Sequence, residues 1–208
     1  MTTHVKLLRE FFWMMLLSGL LFCCGKASAQ VLPEYSAFPS SSVGIQAGTQ
    51  GLGLQGSYSF WTTFNARIGF NTVPGITVQY NSRDMQLNRT SVFAIADWQP
   101  MYGKTDWFAR KWYISTGIAY YFSNNLYREG AGTTPNYTIY MSRVRPYIGT
   151  GLGNIHLFKN VGMRTDLGWF IPTSSATSTY DDKASNVSSG LRGLLPGLNS
   201  AVSIYVKF

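Results

Sequence analysis

The C-terminal segment of the chain alternates apolar with polar or small side chains at every second residue. The apolar face of this segment is formed by Val202, Ile204, Val206 and Phe208. A period of two residues is that of a β-strand, in which successive side chains point to opposite faces, and differs from the 3.6-residue period of a helix. The segment is therefore predicted to be a strand with one apolar face.

The same alternation recurs along the chain at residues 64–71, 111–122, 144–153 and 161–171. The polar faces of these segments consist mostly of Gly, Ser and Asn, with a few Arg and Asp. Small side chains of this kind leave room for a few long ones in a narrow polar interior. The apolar faces, with Trp and Tyr at their ends, are typical of strands that face lipid. We expect the apolar faces to point outward.

The pattern predicts an all-β fold, an eight-stranded antiparallel up-and-down transmembrane β-barrel over residues 43–208. The strands are expected near residues 43–49, 52–60, 63–80, 87–98, 111–124, 142–154, 161–172 and 198–208. A change of phase around residues 49–51 indicates a tight turn or a β-bulge, and we favour the turn because it makes the number of strands even. Long connections at 124–141 and 173–197 alternate with compact ones, and 173–197 has room for a further element. An open sheet edge is unstable in lipid, so the sheet must close.

Composition excludes several other classes of protein. Only 12% of the residues are charged and 45% are hydrophobic, against roughly 25% charged residues in an ordinary soluble domain. These values exclude a disordered chain or a long coiled coil, and a mean hydropathy near zero argues against several membrane-spanning helices. A soluble exported β-sandwich that acts as a binding module remains the rival fold.

The N-terminus has the pattern of an export signal. Lys6 and Arg9 precede an apolar stretch at 11–24, and an Ala-Ser-Ala sequence ends at Ala29. As a helix the stretch would span about 20 Å, less than the roughly 30 Å of a hydrocarbon core, which argues against a retained anchor. We predict a signal helix at 1–29 that is cleaved after Ala29, followed by an N-terminal linker at 30–42.

Both cysteines of the chain, Cys23 and Cys24, lie inside the predicted signal. The remainder therefore has no residues for a disulfide or a thiolate metal site. A lipid on Cys23 or Cys24 is an alternative, although Phe22 is bulky where a lipoprotein signal has a small residue.

The chain resembles the small bacterial outer-membrane β-barrel proteins of the OmpA-like, OmpX-like and OmpW-like kind. The resemblance rests on the signal that ends at Ala29 and is followed by Gln30, on the Gly-rich segments 43–48 and 145–153, and on the alternating segment that ends at Phe208. It implies a monomer in the bacterial outer membrane, in contact with lipid and lipopolysaccharide. The apolar face of Val202, Ile204, Val206 and Phe208 resembles the signal read by the barrel assembly machinery. Without a run of Lys and Arg, no nucleic-acid partner is expected.

Five charged residues fall on polar faces and are expected to form a polar network in the lumen: Arg67, Asp97, Arg145, Arg164 and Asp166. An eight-stranded barrel has an interior that side chains just fill, and buried charges there need to be paired. We interpret these residues as a structural filling of the lumen. The alternative is a narrow channel or transporter for small hydrophobic or ionic solutes.

The sequence offers few candidates for catalysis or for cofactor binding. His156, expected in a turn, is the one histidine after the predicted signal, and position 158 holds Phe158 where lipid A deacylases of this size carry a serine. A general base also needs a nucleophile and an orienting partner. The adjacent Asp181 and Asp182 lack a spaced third ligand for a cation. The chain is therefore predicted to be non-enzymatic, with no metal or cofactor.

Four arginines lie in or near the connections on the long-loop side: Arg83, Arg89, Arg128 and Arg143. Guanidinium groups pair well with phosphates, which lipopolysaccharide carries. We expect these arginines to contact lipopolysaccharide, and the alternative is that they are solvated loop charges.

Overall fold

In the computed structural model, the structure describes residues 36–80, 83–130, 135–180 and 195–208. The predicted signal, its lipid-anchor alternative and the Asp181–Asp182 pair lie outside these residues. The described part holds no helix that is long and apolar enough to cross a membrane.

Strands make up most of the described chain. The strands are β1 Ser41–Gly48, β2 Gly51–Trp61, β3 Phe64–Tyr80, β4 Arg83–Trp98, β5 Trp112–Arg128, β6 Tyr137–Tyr140, β7 Val144–Phe158, β8 Val161–Phe170, β9 Thr177–Ser178 and β10 Leu198–Lys207. A short helix, α1, spans Trp107–Lys111, and a 3₁₀ turn at Leu195–Gly197 precedes β10.

Eight of these strands form one closed antiparallel ring in the order β1, β2, β3, β4, β5, β7, β8 and β10. The first and last strands close the ring, with Ser42 opposite Lys207 and Gly48 opposite Ala201. The predicted eight-stranded barrel is therefore confirmed. The β-sandwich alternative is wrong, because the strands close into a single ring and do not form two facing sheets.

The predicted turn after the first strand is confirmed, because β1 and β2 pair as a hairpin around Thr49 and Gln50. Gly51 closes this turn with a φ of 104°, a backbone conformation that glycine adopts without steric cost. Several strand ends differ from the prediction: β4 begins at Arg83, and β5 and β7 continue to Arg128 and Phe158. Helix α1 and the short strands β6 and β9 carry no periodic signal in the sequence.

The apolar faces point outward, as the alternation predicts. Ile45, Ile68 and Leu52 are 61%, 67% and 66% exposed, whereas Arg67, on the opposite face of β3, is 2% exposed. In a protein surrounded by water this distribution would be inverted. The exterior is therefore suited to acyl chains and the interior to polar groups.

Aromatic rings surround the end of the barrel that carries the shorter connections. Phe60 and Trp61 contact Phe64, whose ring stacks on Trp98, and on α1 the ring of Phe108 stacks on Trp112. Such rings form the girdles found where a barrel crosses the membrane interface. Because the short turns of bacterial barrels face the periplasm, we assign this end, which also carries residues 36–40 and Phe208, to the periplasmic side.

Candidate functional site: the filled lumen

Strand β5 shows the order of the layers inside the barrel. From the periplasmic end, its inward side chains are Tyr113, Ser115, Tyr121, Asn124 and Leu126. In the same order, these side chains mark five groups of buried residues. They are a periplasmic apolar cluster of Ala37, Phe38 and Tyr113, an ionic layer, an aromatic layer, a group around two arginines, and an outer apolar cluster. The lumen is thus filled along its length by layers of alternating character.

The ionic layer joins opposite walls of the barrel. Arg67 on β3 binds both oxygens of Asp166 on β8, at 3.1 Å from Nη1 to Oδ2 and 2.9 Å from Nη2 to Oδ1. The same Nη2 lies 2.8 Å from Oδ1 of Asp97 on β4. All three side chains are buried. One guanidinium therefore binds two carboxylates in an interior shielded from water, where charge pairs are strong.

Neutral groups complete the partners of the two carboxylates. Tyr113 OH donates to Asp166 Oδ1 at 2.8 Å, Ser115 Oγ donates to Asp97 Oδ1 at 2.7 Å, and Asn65 Nδ2 donates to Asp97 Oδ2 at 2.8 Å. Arg164 Nη1 also lies 3.5 Å from Asp97 Oδ2. The structure therefore brings together four of the five residues predicted for the lumen network, Arg67, Asp97, Arg164 and Asp166.

Glycines on the inward face of β7 make room for the tyrosines of the lumen. A Cβ on Gly151 would collide with the hydroxyl of Tyr113, and a Cβ on Gly149 would collide with the hydroxyl of Tyr147. The alternating glycines of 149–153 therefore serve packing inside the barrel. In the sequence, Tyr113 lies between Trp112 and Ile114, whose side chains face outward, and this position indicates that Tyr113 faces the lumen. Its hydrogen bond to Asp166 was not predicted.

The aromatic layer lies above the ionic layer. It contains Phe93, Ile95, Ala119, Tyr121, Tyr147 and Phe170, all of them buried. The rings of Tyr147 and Phe170 are 4.6 Å apart, and Phe170 meets Tyr121 edge to face at 6.2 Å. These rings come from the adjacent strands β5, β7 and β8, and Phe93 and Ile95 add side chains from β4 at this height.

Arg145, the fifth residue predicted for the lumen network, is buried but lies apart from the two carboxylates. Its Nε donates to Ser142 Oγ at 3.0 Å, and its guanidinium lies 5.6 Å from the ring centroid of Tyr121. Among the described residues no carboxylate pairs with it.

Arg89 corrects the prediction of loop arginines. It is only 2% exposed and points into the lumen, where Nε donates to Asn124 Oδ1 at 3.1 Å and Nη1 to Gln50 Oε1 at 3.0 Å. The prediction placed Arg89 near the loop end of a strand that starts at 87, but β4 begins at Arg83, so position 89 lies well inside the strand and on its inward face. Arg89 is therefore not available to lipopolysaccharide.

The segment just before β1 closes the periplasmic mouth, which corrects its prediction as a linker. Ser36, Ala37 and Phe38 are at most 1% exposed. The ring of Phe38 packs on Tyr113 with 5.5 Å between centroids, and the Arg164 guanidinium lies 5.8 Å from the Phe38 ring. No alternation marks these residues, which is why the sequence did not indicate that they lie inside the barrel.

Asn154 holds this segment, which we call the periplasmic plug and define as residues 36–40. Asn154 has a φ of 46° at an irregularity between β7 and β8, in the left-handed region that Asn tolerates better than most residues. Its Nδ2 donates to Ser36 O at 3.1 Å, and the backbone N–H of Ala37 donates to Gln99 Oε1 at 2.8 Å. Two side chains of the barrel wall thus bind the backbone of the plug.

An outer apolar cluster covers the other end of the lumen. It contains Met85, Leu126, Tyr137, Ile139 and Met141, with Leu87 and Ala176 packed against it. Two short strands extend the sheet on this side: β6, which was not predicted, and β9, which lies in the connection 173–197 where the sequence left room for a further element. Strands β3, β4 and β5 reach this height because they are longer than the roughly ten residues that a transmembrane strand needs.

The other predicted site residues lie at the ends of the barrel. Arg143 is exposed, and Arg128 donates from Nη1 to Tyr137 OH at 3.0 Å, both on the long-loop side. Arg83 begins β4 on the same side. His156 is exposed on β7 and not in a turn, which corrects its predicted placement.

The residues predicted as an assembly signal lie together on the outer face of β10. Val202, Ile204 and Val206 are each 45% exposed, and Phe208 is 60% exposed. Phe208 follows the strand, and its backbone N–H donates to Ser41 O at 3.0 Å. Within the described ranges no group of three His, Cys, Asp or Glu side chains is placed to hold a metal ion.

Two solved structures share this fold. The chain is similar to the crystal structure of Acinetobacter baumannii CarO, with a TM-score of 0.54 and 19% identity over 82% of this chain and 98% of that chain. It is also similar to the crystal structure of Acinetobacter baumannii CarO2, with a TM-score of 0.57 and 17% identity over 81% of this chain and 98% of that one. No family model matches the sequence, and no curated protein matches it significantly.

The barrel and its two faces also determine where the protein lies. Each of the eight strands of the closed ring pairs on both sides, the outward belt is apolar, and the buried charged groups of the strands face inward. Membrane-spanning barrels of this construction belong to the outer membrane of bacteria. The protein is therefore an outer-membrane β-barrel.

Proposed function

We propose that the protein is a structural, non-enzymatic outer-membrane barrel with a closed lumen, whose extracellular loops interact with the cell surface. The observation that carries the proposal is the ionic layer, in which Arg67 reaches Asp166 on the opposite wall. Below it lies the periplasmic plug, and above it lies the aromatic layer. The proposal retains the resemblance to OmpA-like, OmpX-like and OmpW-like barrels, and it takes the protein to be a monomer.

Planar-bilayer recording tests the closed lumen. The full mature chain is refolded in detergent and inserted into a bilayer beside a known open porin, which shows that openings are detectable. We expect no steady conductance from the wild-type protein, because side chains occupy each layer. Steady openings of nanosiemens size would overturn the proposal and favour the alternative of a narrow channel or transporter.

The proposed surface contact is with phosphates of lipopolysaccharide, through the arginines on the long-loop side. Exposed Arg143 and the partly buried Arg128 support it, because both side chains lie at the extracellular end. The matched controls are Lys104 and Lys159, which are exposed at the periplasmic end. Arg128→Gln with Arg143→Gln is expected to remove most of the stabilisation that lipopolysaccharide gives over phospholipid, and Lys104→Gln with Lys159→Gln is expected to retain it. Equal losses in both pairs would contradict this contact.

A further inference from the structure

Two buried arginines of the lumen lack an acidic partner. In the described part of the barrel, the ion pairs of the two buried aspartates are made with Arg67 and Arg164, and none involves Arg89 or Arg145. Arg89 and Arg145 are each 2% exposed. A guanidinium cannot lose its proton in a protein, so its burial requires a compensating charge or polar partners.

A chain of hydrogen bonds ties both arginines to one wall of the lumen. Arg89 Nε donates to Asn124 Oδ1 at 3.1 Å, and Asn124 Nδ2 donates to Ser142 O at 2.9 Å. Arg145 Nε donates to Ser142 Oγ at 3.0 Å. The two guanidinium groups are thus held by neighbouring acceptors.

A second series of contacts closes the group on the other side. Arg89 Nη1 donates to Gln50 Oε1 at 3.0 Å, and Gln50 Nε2 donates to Leu198 O at 2.7 Å. The neighbouring Gly197 lies beside Arg145, since a Cβ there would be 3.4 Å from Arg145 Nη1. Arg89, Arg145 and these linking residues form what we call the arginine ring.

The ring encloses Tyr121. Each guanidinium lies 5.6 Å from the centroid of the Tyr121 ring, and the phenolic hydroxyl donates to Gln50 Oε1 at 2.9 Å. An aromatic face offsets part of the cost of burying a cation. The two positive charges nevertheless repel each other, and one aromatic ring does not neutralise them.

Arg145 has a buried nitrogen without a partner in the described part of the chain. Its Nη1 donates no hydrogen bond to any described residue, and it is shielded from solvent. A buried donor left unpaired costs about 1–3 kcal/mol, and more for a charged group. The planar fork of a guanidinium matches the paired oxygens of a carboxylate or a phosphate. The missing partner therefore has the chemistry of an oxyanion.

We propose that the arginine ring binds one small oxyanion, a carboxylate or inorganic phosphate, inside the extracellular half of the lumen. The site lies between the aromatic layer and the outer apolar cluster, whose packed side chains are the reason that we propose a small ion as the ligand. This inference goes beyond the proposed structural role, because a closed barrel needs no ligand.

Calorimetric titration of the refolded protein with sodium phosphate, and separately with sodium acetate, tests the site at constant ionic strength. We expect saturable binding of at least one ion to the wild-type protein. Arg145→Gln is expected to weaken it by about tenfold or more, because a charged hydrogen-bonding partner is lost. Arg145→Lys retains the charge without the fork, so it is expected to fold and still bind more weakly. Lys104→Gln removes one positive charge at an exposed position of the periplasmic end, so it is the control.

Three outcomes would overturn the proposal. The first is no binding of either ion to the wild-type protein, and the second is equal binding by the wild type and both Arg145 variants. The third is binding that is absent from the wild-type protein and appears only in the double variant Asp181→Asn with Asp182→Asn. This result would mean that a loop carboxylate occupies the arginine ring of the wild-type protein. Folding of each variant is checked by its heat-modifiable migration on a detergent gel.

Discussion

Arg67 and Asp166 form a two-point ion pair across the lumen, from β3 to β8, at 2.9 and 3.1 Å. The two residues are 99 positions apart in the sequence, and neither strand is a neighbour of the other in the ring. The pair therefore acts as a cross-brace of the barrel wall in addition to filling its interior.

Replacing Arg67 with Met is expected to destabilise the barrel strongly. The change leaves Asp97 and Asp166 buried without their principal counter-charge, and breaking a buried pair on one side costs about 3–5 kcal/mol. Urea unfolding followed by tryptophan fluorescence in lipid vesicles measures the effect. Arg143→Met, at an exposed site, is the control and is expected to stay within about 0.5 kcal/mol of wild type. A loss below about 1 kcal/mol for Arg67→Met would mean that the ionic layer contributes little to stability.

Replacing Phe38 with Ala is expected to loosen the periplasmic plug. The ring packs on Tyr113 in a fully buried position, and truncating a buried Phe costs about 3–5 kcal/mol. Because only the plug is affected, the visible change is faster proteolysis of residues 36–40, with the barrel still resistant. Limited proteolysis with mass spectrometry measures this, and Phe158→Ala, at an exposed position, is the control. Unchanged proteolysis would contradict the packing of the plug.

Adding a methyl group at Gly151 is expected to harm the barrel, whereas adding one at Gly56 is not. In Gly151→Ala the new carbon meets the hydroxyl of Tyr113 and the backbone of β8, and overpacking of this kind costs about 1–3 kcal/mol. In Gly56→Ala the nearest atom is 3.9 Å away, an ordinary contact. Unfolding free energies of the two variants measure the difference, and equal values would contradict the proposed role of the inward glycines.

A charge on the outer face is expected to be costly in a membrane. Ile68 is 67% exposed on the apolar belt, and Lys near the middle of a bilayer costs about 2–4 kcal/mol. Ile68→Lys is measured by unfolding in phospholipid vesicles, with Thr105→Lys in the exposed loop before α1 as the control. Equal stability of the two variants would place Ile68 outside the lipid.

Removing Phe208 is expected to impair assembly in cells more than stability in the test tube. The side chain is 60% exposed, so its loss removes little packing, while its N–H bond to Ser41 is one of many at the seam. Two quantities are compared between the variant without Phe208 and the wild type: the amount of folded protein in outer-membrane fractions, and the unfolding free energy of the refolded protein. Deletion of the exposed Gly103 is the length-matched control. A normal folded amount in cells would contradict the assembly signal.

The alternation of side chains predicted the strands, and the small polar residues and aromatic ends of the alternating segments predicted that the apolar faces point outward. A one-residue shift of a strand moves every side chain to the other face, so the sequence strongly determines which residues face lipid. For that reason positions such as Arg67 and Asp166 were correctly expected inside.

The sequence could not predict features that depend on contacts between distant segments. Arg89 was misplaced because pairing with β3 and β5 extends β4 beyond residue 87 toward the loop, which the local pattern does not indicate. Phe38 lies in the lumen because Asn154 and Gln99, far along the chain, bind its neighbours. Helix α1 is too short to show a helical period. Such interactions leave no periodic signal in the residues that make them.

The seam between β1 and β10 has a consequence for how the barrel forms. Ser42 lies opposite Lys207, so the hydrogen bonds that close the ring join its first and last strands. Pairing over so large a sequence separation is slow, because the intervening chain loses its freedom before the contact forms. A chain whose synthesis stops before β10 has unpaired edges on β1 and β8. Only a polypeptide that includes β10 can complete the ring. We therefore expect a chain that terminates before β10 not to integrate into the membrane.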